Sequence, residues 1–428
     1  MRTIASSNRL LYALIIAAFF LVLVSAFRFQ APELLGQRKI LTDFDAFHIT
    51  GRLAAEGKIA NAYHLSTLVE AQRAMSGTGS FMPWTYPPPF ALLMQALARL
   101  PIGVAFMLFT AASFAFYLRI LHAIAGRWLP GTAMMIMPTL LLNLRTGQNG
   151  FLTAGLIGWF LIAFRNRRSA AGLPLGLMVV KPHLAVGITI LSVLRRGWGA
   201  LSIAGLVALG LMGLSSFVYG PSVWADFRDA VREAGGFLLQ GYYPFYRMSS
   251  VYAALYTMGL GAMMAMALQT LSALLALVLL AKACLSGIPY RHLAALTCCA
   301  SLFVSPYGYD YDLTILGVAL AFVMPDLLNR GRPSEIAGLL LLTWFVCGFG
   351  IAWSITTSRG QPGTAVDLDA GNAGLSLISP ALLALFWLTM HVCRKRDAGK
   401  DEASRRLVAE EGAAKPAVIP MRGERSPD

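Results

Sequence analysis

The sequence predicts an all-α fold: a polytopic transmembrane bundle of about ten to twelve membrane helices, some of them short and broken. Composition is the first reason, because 57% of the 428 residues are apolar and only 13% are charged, against roughly 25% charged in soluble domains. Pattern is the second, since apolar runs of spanning length recur from Leu10 to Met390. The third is punctuation by short arginine-rich segments at residues 165–168, 195–196, 330–332 and 394–396. Such segments mark the cytoplasmic edges of membrane helices.

The first run, residues 10–27, holds eighteen residues and at 1.5 Å per residue reaches about 27 Å, enough to cross a hydrocarbon core. Arg2 and Arg9 precede it and Val24-Ser25-Ala26 resembles a cleavage site. A signal peptide usually has an apolar region of only about 7 to 15 residues, so the run is expected to stay as a helix. With the basic loops inside, residues 28–87 form a long first periplasmic loop. Within it, apolar positions 68, 71 and 75 and a cap at Ser66 or Thr67 predict a short amphipathic helix, lying on the membrane or packed on the protein. Residues 89–121, interrupted at Pro101, read as one bent crossing or as a half-helix followed by a full one.

Two pairs of short apolar pieces follow, 132–142 with 151–164 and 170–180 with 184–194. Pieces of about eleven residues cannot span alone, and irregular backbone at membrane depth is tolerated only against protein or a water-filled cavity. The joints, at residues 143–150 and at Lys181-Pro182-His183, therefore predict a cavity. Full spans are expected near 199–219, 260–283, 293–305, 311–325, 336–356 and 375–393, with a second periplasmic loop at 220–250 and both termini inside. Residues 1–393 thus form one membrane-embedded domain. Residues 394–428, rich in Lys, Arg, Glu, Gly and Pro, read as a disordered basic cytoplasmic tail.

The formal net charge of +14 would suggest nucleic acid in a soluble chain, but positive-inside bias accounts for it, and no nucleic-acid partner is expected. A role for the basic runs in binding anionic lipid is secondary. The five cysteines fall in or at the ends of apolar runs, which implies neither a disulfide framework nor a metal site.

Asp43 and Asp45 lie where the first helix reaches water, so one of them is a candidate general base, the other reading being a solvated loop carboxylate. His48 would bond a substrate or cap the loop. Lys181 precedes Pro182 at a helix start, where ammonium and free backbone N–H groups converge on an anion; snorkelling is its alternative. Arg145, Gln148 and Asn149 offer donors to phosphate or sugar, or satisfy backbone at a helix break. In the second loop Tyr242, Tyr243, Phe245 and Tyr246 would stack on sugars and Arg247 would pair with phosphate, or the segment anchors at the interface. Ser305-Pro306-Tyr307 and Asp310-Tyr311-Asp312 place phenols and carboxylates at an outer helix end; two carboxylates alone do not make a metal site.

In this order the landmarks resemble glycosyltransferase family 87, the polyprenol-phosphate-dependent mannosyltransferases with the GT-C membrane fold. They are Asp43, Phe44 and Phe47; Gly57 with Ala62-Tyr63; Tyr86-Pro87-Pro88-Pro89; Asn143 with Gly147-Gln148-Asn149-Gly150; Lys181-Pro182; Met248-Ser249-Ser250-Val251; and the Ser305 to Asp312 run. The resemblance covers roughly residues 10–325. It implies a GT-C bundle and transfer of a sugar, mannose by analogy, from a polyprenyl-phosphate donor to a lipid or glycan acceptor. It also implies inversion at the periplasmic face of the cell membrane, with no cofactor. Asp43 matches the family's base, while Asp45 stands where the family more often has an uncharged residue. Lys181, Arg145 and Arg247 become the expected phosphate contacts. His48, Tyr86, Gln148, Asn149, His183, Tyr307, Asp310 and Asp312 become the expected sugar or acceptor contacts. The competing readings are a multi-pass transporter, whose broken helices would mark a midplane site, and a lipid-linked glycan ligase or polymerase. The long loop carrying Asp43 speaks against the first, and the lack of histidine in residues 220–250 against the second.

Overall fold

The structure, a computed structural model, describes residues 2–79, 81–357 and 374–395. The expected tail from residue 396 onward lies outside the described residues.

Helix α1 (Asn8–Leu35) runs past the apolar stretch and is closed by Gly36, whose φ is +61°. Arg28, Gln30 and Glu33 lower the hydropathy without breaking the helix. The helix thus continues eight residues past the apolar run, and the connecting segment from Gly36 to Pro87 follows it. This segment carries α2 (Asp43–Ala55) and α3 (Leu65–Ser76). The N-cap of α3 is His64, not Ser66 or Thr67, because the Thr67 hydroxyl donates to the Asn61 carbonyl at 2.9 Å. This helix packs on the protein through Leu68, Gln72 and Ser76, and the Gln72 amide bonds both backbone groups of Met82, at 2.6 and 2.9 Å.

Pro101 separates α4 (Pro88–Leu97) from α5 (Ile102–Ala125), the half-helix and full helix of the second alternative. The first broken pair is α6 (Met137–Thr146) and α7 (Gly150–Arg165). The second consists of a short piece at Gly172–Leu177, tightening into a 3₁₀ turn at Met178–Val180, and α8 (Val186–Leu194). Then come α9 (Trp198–Tyr219), the amphipathic α10 (Val223–Gln240), α11 (Ala262–Leu285) and α12 (Tyr290–Val304). The described chain ends with α13 (Thr314–Arg330), α14 (Pro333–Thr357) and α15 (Ile378–Arg394).

Among the described residues six helices are long and apolar enough to cross a membrane, and six shorter apolar ones accompany them. No strand forms among them beyond one isolated bridge, Met248 to Tyr309. The chain is a polytopic all-α membrane protein. Helix α13 is buried nearly all round, packed by α5, α7, α12 and α15, as expected of a helix apolar on every face. Phe19, Phe217 and Leu271 on α1, α9 and α11 are exposed instead, an apolar surface suited to lipid. Both broken joints, the Ser305 to Tyr309 loop and the 220–250 segment meet at the same end of the bundle.

Candidate active site

Asp43 and Asp45 share the first turn of α2 but face different surroundings. The Asp45 carboxylate accepts from the Thr42 backbone N–H at 2.8 Å and its hydroxyl at 3.1 Å, closing the turn, and pairs with Lys39 at 2.6 Å. It is a capping residue, buried away from the cavity. Asp43 lines the cavity, and among the described residues its carboxylate has no hydrogen-bond or ion-pair partner. What aims this turn is an aromatic cluster: Phe47 meets Trp84, Tyr86 and Phe90 edge-on at 6.0, 5.3 and 5.2 Å. Aromatic pairs in that geometry lock α2 onto the Trp84 to Phe90 segment.

The opposite wall comes from the broken helices. Gly147, with φ +68°, ends α6 in the left-handed conformation that glycine adopts freely. Asn143 on the last turn donates to the carbonyls of Thr139 and Tyr311 at 2.9 and 3.1 Å. Thr314 donates to the Gly150 carbonyl at 2.9 Å, so the joint is stitched to the start of α13. Lys181 sits alone between two 3₁₀ turns, with φ −152° and ψ 68°, outside the helical region that the following proline disfavours.

Two ion pairs are set into the wall, their cations on the cavity and their carboxylates buried behind it. Lys181 Nζ lies 2.5 Å from Asp312 Oδ1 and 3.4 Å from Asn149 Oδ1, and 4.7 Å from the centre of the Tyr311 ring. Its side chain is 7% exposed and that of Asp312 is 0% exposed. Arg247 grips Asp310 in bidentate fashion, Nε to Oδ2 and Nη2 to Oδ1, both at 3.1 Å. Charges this deeply placed are stable only when paired and hydrogen-bonded. Arg247 still has Nη1, and Lys181 further N–H bonds, for another acceptor.

Together these elements enclose a cavity of about 410 Å³, lined by Asp43, Tyr86, Gln148, Lys181, His183, Arg247 and Tyr307 among the residues expected from sequence. Asp310 and Asp312 do not line it; they are counterions to its cations. Tyr309 and Tyr311 line it instead, their rings stacked 5.3 Å apart and 5° from parallel. The alternation Tyr-Asp-Tyr-Asp was the available signal: the loop turns tyrosines inward and aspartates back. Asn149 is buried behind the wall, holding Lys181. Arg145 is exposed and outside the cavity. His48 also lies elsewhere, in a separate hollow with Lys39 and Arg52, where its ring Nε2 donates to the Leu100 carbonyl at 3.1 Å.

Burial holds the His48 imidazole below its ordinary pKa, so it is neutral at pH 7. Burial, reinforced by the Asp312 and Asp43 carboxylates, holds the Tyr86 phenol well above its ordinary value. Tyr86 therefore remains a donor, here to Gln148 Oε1 at 3.3 Å. Among the described residues no group of three or more His, Cys, Asp or Glu converges as a metal site.

Broken helices that enclose a polar cavity with paired cations and one unpaired carboxylate define an integral membrane protein with a substrate pocket at one end of its bundle. The model of glycosyltransferase family 87 matches residues 84–306, half of the chain, and the protein belongs to that family: it is a membrane glycosyltransferase. No curated protein and no solved structure matches the chain. The matched stretch contains Tyr86, Gln148, Lys181, His183 and Arg247, while Asp43, Asp310 and Asp312 lie on either side of it.

Proposed function

We propose that the protein transfers a sugar from a polyprenyl-phosphate donor to a lipid or glycan hydroxyl, inverting the anomeric carbon, with Asp43 as general base. The observation that carries this is the unpartnered Asp43 carboxylate on the same cavity as Lys181 and Arg247, with stacked tyrosines between. The acceptor oxygen attacks the anomeric carbon while Asp43 takes its proton. The bond from that carbon to the phosphate oxygen breaks, and its electron pair leaves with the polyprenyl phosphate. Fixed cations that face the developing phosphate charge lower the barrier because they need no reorganisation. Their buried counterions hold them in position.

A lipid tail also suits the wall formed by Val180, Phe227 and Val231, which is apolar and reaches the exposed side of α10 at Val231. By the positive-inside reading the cavity opens to the periplasm from the cell membrane. The sugar is taken as mannose, as in the family's polyprenol-phosphate-dependent mannosyltransferases.

The test is transfer by the purified full chain from synthetic polyprenyl phosphate sugars to membrane lipids. Asp43→Asn is expected to lower kcat by roughly 10²–10⁴-fold, the contribution of a positioned base. Undiminished activity in that variant would remove Asp43 from the role, and no transfer from any lipid-linked donor would overturn the donor class.

A further inference from the structure

At the end of α7 and α8 away from the active site lies a second cavity, of about 710 Å³, rimmed by Arg165, Arg167, Arg168, Arg195, Arg196 and Trp198. Helix α7 alone sets the two apart by about 24 Å, sixteen residues at 1.5 Å each. We infer that this cavity binds the phosphate headgroup of an anionic membrane phospholipid.

Three observations support it. First, among the described residues no carboxylate pairs with any of the five arginines. The other basic cluster at this end does have carboxylate partners: Arg291 and Arg330 share Asp326 at 2.6 and 3.3 Å, and Lys395 pairs with Glu335. Second, Arg167 and Arg196 have φ of +53° and +54°. Each occupies the left-handed position that ends a helix, followed by a bond from the next N–H to the carbonyl five residues back, Arg168 to Ala163 at 3.1 Å and Gly197 to Ser192 at 2.7 Å. Glycine is the favoured residue there, and an arginine is strained. Positive-inside bias asks only for an excess of charge in the loop. It explains neither two arginines in positions made for glycine nor their convergence on one hollow.

Third, the cavity adjoins lipid-facing surface. Trp198 at its rim is 60% exposed, and Val193 on α8 and Leu206 on α9 continue an exposed apolar path. A soluble phosphate makes no use of that path, whereas the acyl chains of a lipid with its phosphate in the cavity run along it. Trp at this level suits the headgroup region.

Arg167→Gly combined with Arg196→Gly tests the inference while relieving backbone strain and leaving Arg165, Arg168 and Arg195 to hold the topology. The full chain in detergent micelles is titrated with phosphatidylglycerol and with phosphatidylcholine and followed by native mass spectrometry. Wild type is expected to prefer phosphatidylglycerol, and the double variant to lose roughly twenty-five-fold of that preference, about fivefold for each arginine near anionic lipid. Its thermal stability without lipid should be equal or higher. Arg168→Gln, at an ordinary φ of −85°, should lose about fivefold independently of any backbone effect. Equal preference in wild type and variants, or none in wild type, overturns the inference. A rise in melting temperature with inorganic phosphate that matches the rise with phosphatidylglycerol assigns the cavity to a soluble anion and overturns the lipid assignment.

Discussion

Asp43 and Asp45 stand on one helical turn, and their substitution should have opposite signatures. Asp43→Asn should abolish most sugar transfer and leave the melting temperature unchanged, because its carboxylate makes no structural bond. Asp45→Asn should lower stability by about 0.5–2 kcal/mol, the usual range for a lost cap, with turnover per folded molecule retained; thermal unfolding beside the transfer assay separates the two. The buried pairs behave differently again. Arg247→Met or Asp310→Leu alone leaves an uncompensated buried charge and should cost about 3–5 kcal/mol, whereas both together should recover most of it. Activity should stay lost in all three. Recovery of transfer by the double variant would show that Arg247 has no contact with substrate. None of this pairing could be read from local pattern, since Lys181 and Asp312 lie 131 residues apart. Only the joint at Lys181 and the Tyr-Asp alternation were legible.

Helix α2 is held partly by His48, neutral because burial depresses its pKa. The folded state then binds fewer protons than the unfolded chain, so stability rises with pH across that window. The contribution is complete above the unfolded value of 6.5 and is lost as pH falls from there toward the depressed folded value. Melting temperatures between pH 8 and pH 5 should show this decline, and His48→Gln, a neutral donor throughout, should flatten it. Helix α14 reaches the site through Gly350: a Cβ there would lie 2.5 Å from Asp310 Oδ2 and 3.3 Å from Arg247 Cγ. Gly350→Ala should cost about 1–3 kcal/mol by overpacking and lower transfer. Gly205→Ala, with nothing within 4 Å, is the control. Apolar runs announced most of these helices. Their ends were less legible, because caps such as Gly36 and His64, rather than hydropathy, decide where a helix stops.

The orientation of the whole molecule can be read with a membrane-impermeant maleimide, since four of the five native cysteines are buried and the fifth is half-buried. Glu56→Cys, exposed just after α2, should react in intact cells, and Ser334→Cys, exposed in the first turn of α14, only after permeabilisation. The reverse pattern would put the cavity in the cytoplasm. The buried pairs have a last consequence for how the enzyme turns over. With Lys181 paired to Asp312 and Arg247 to Asp310, Asp43 as the proposed base contributes the remaining negative charge of the resting pocket. A phosphodiester donor adds one more. In the proposed reaction Asp43 then holds the acceptor's proton and is neutral, while the departing phosphomonoester carries close to two charges, its second pKa being about 6. The sum in the pocket is the same before and after the chemistry, so no counterion need enter or leave with the sugar. On this proposal product release becomes a proton question: handing that proton from Asp43 to the phosphate would weaken the lipid product's hold on both cations and restore the base for the next turn.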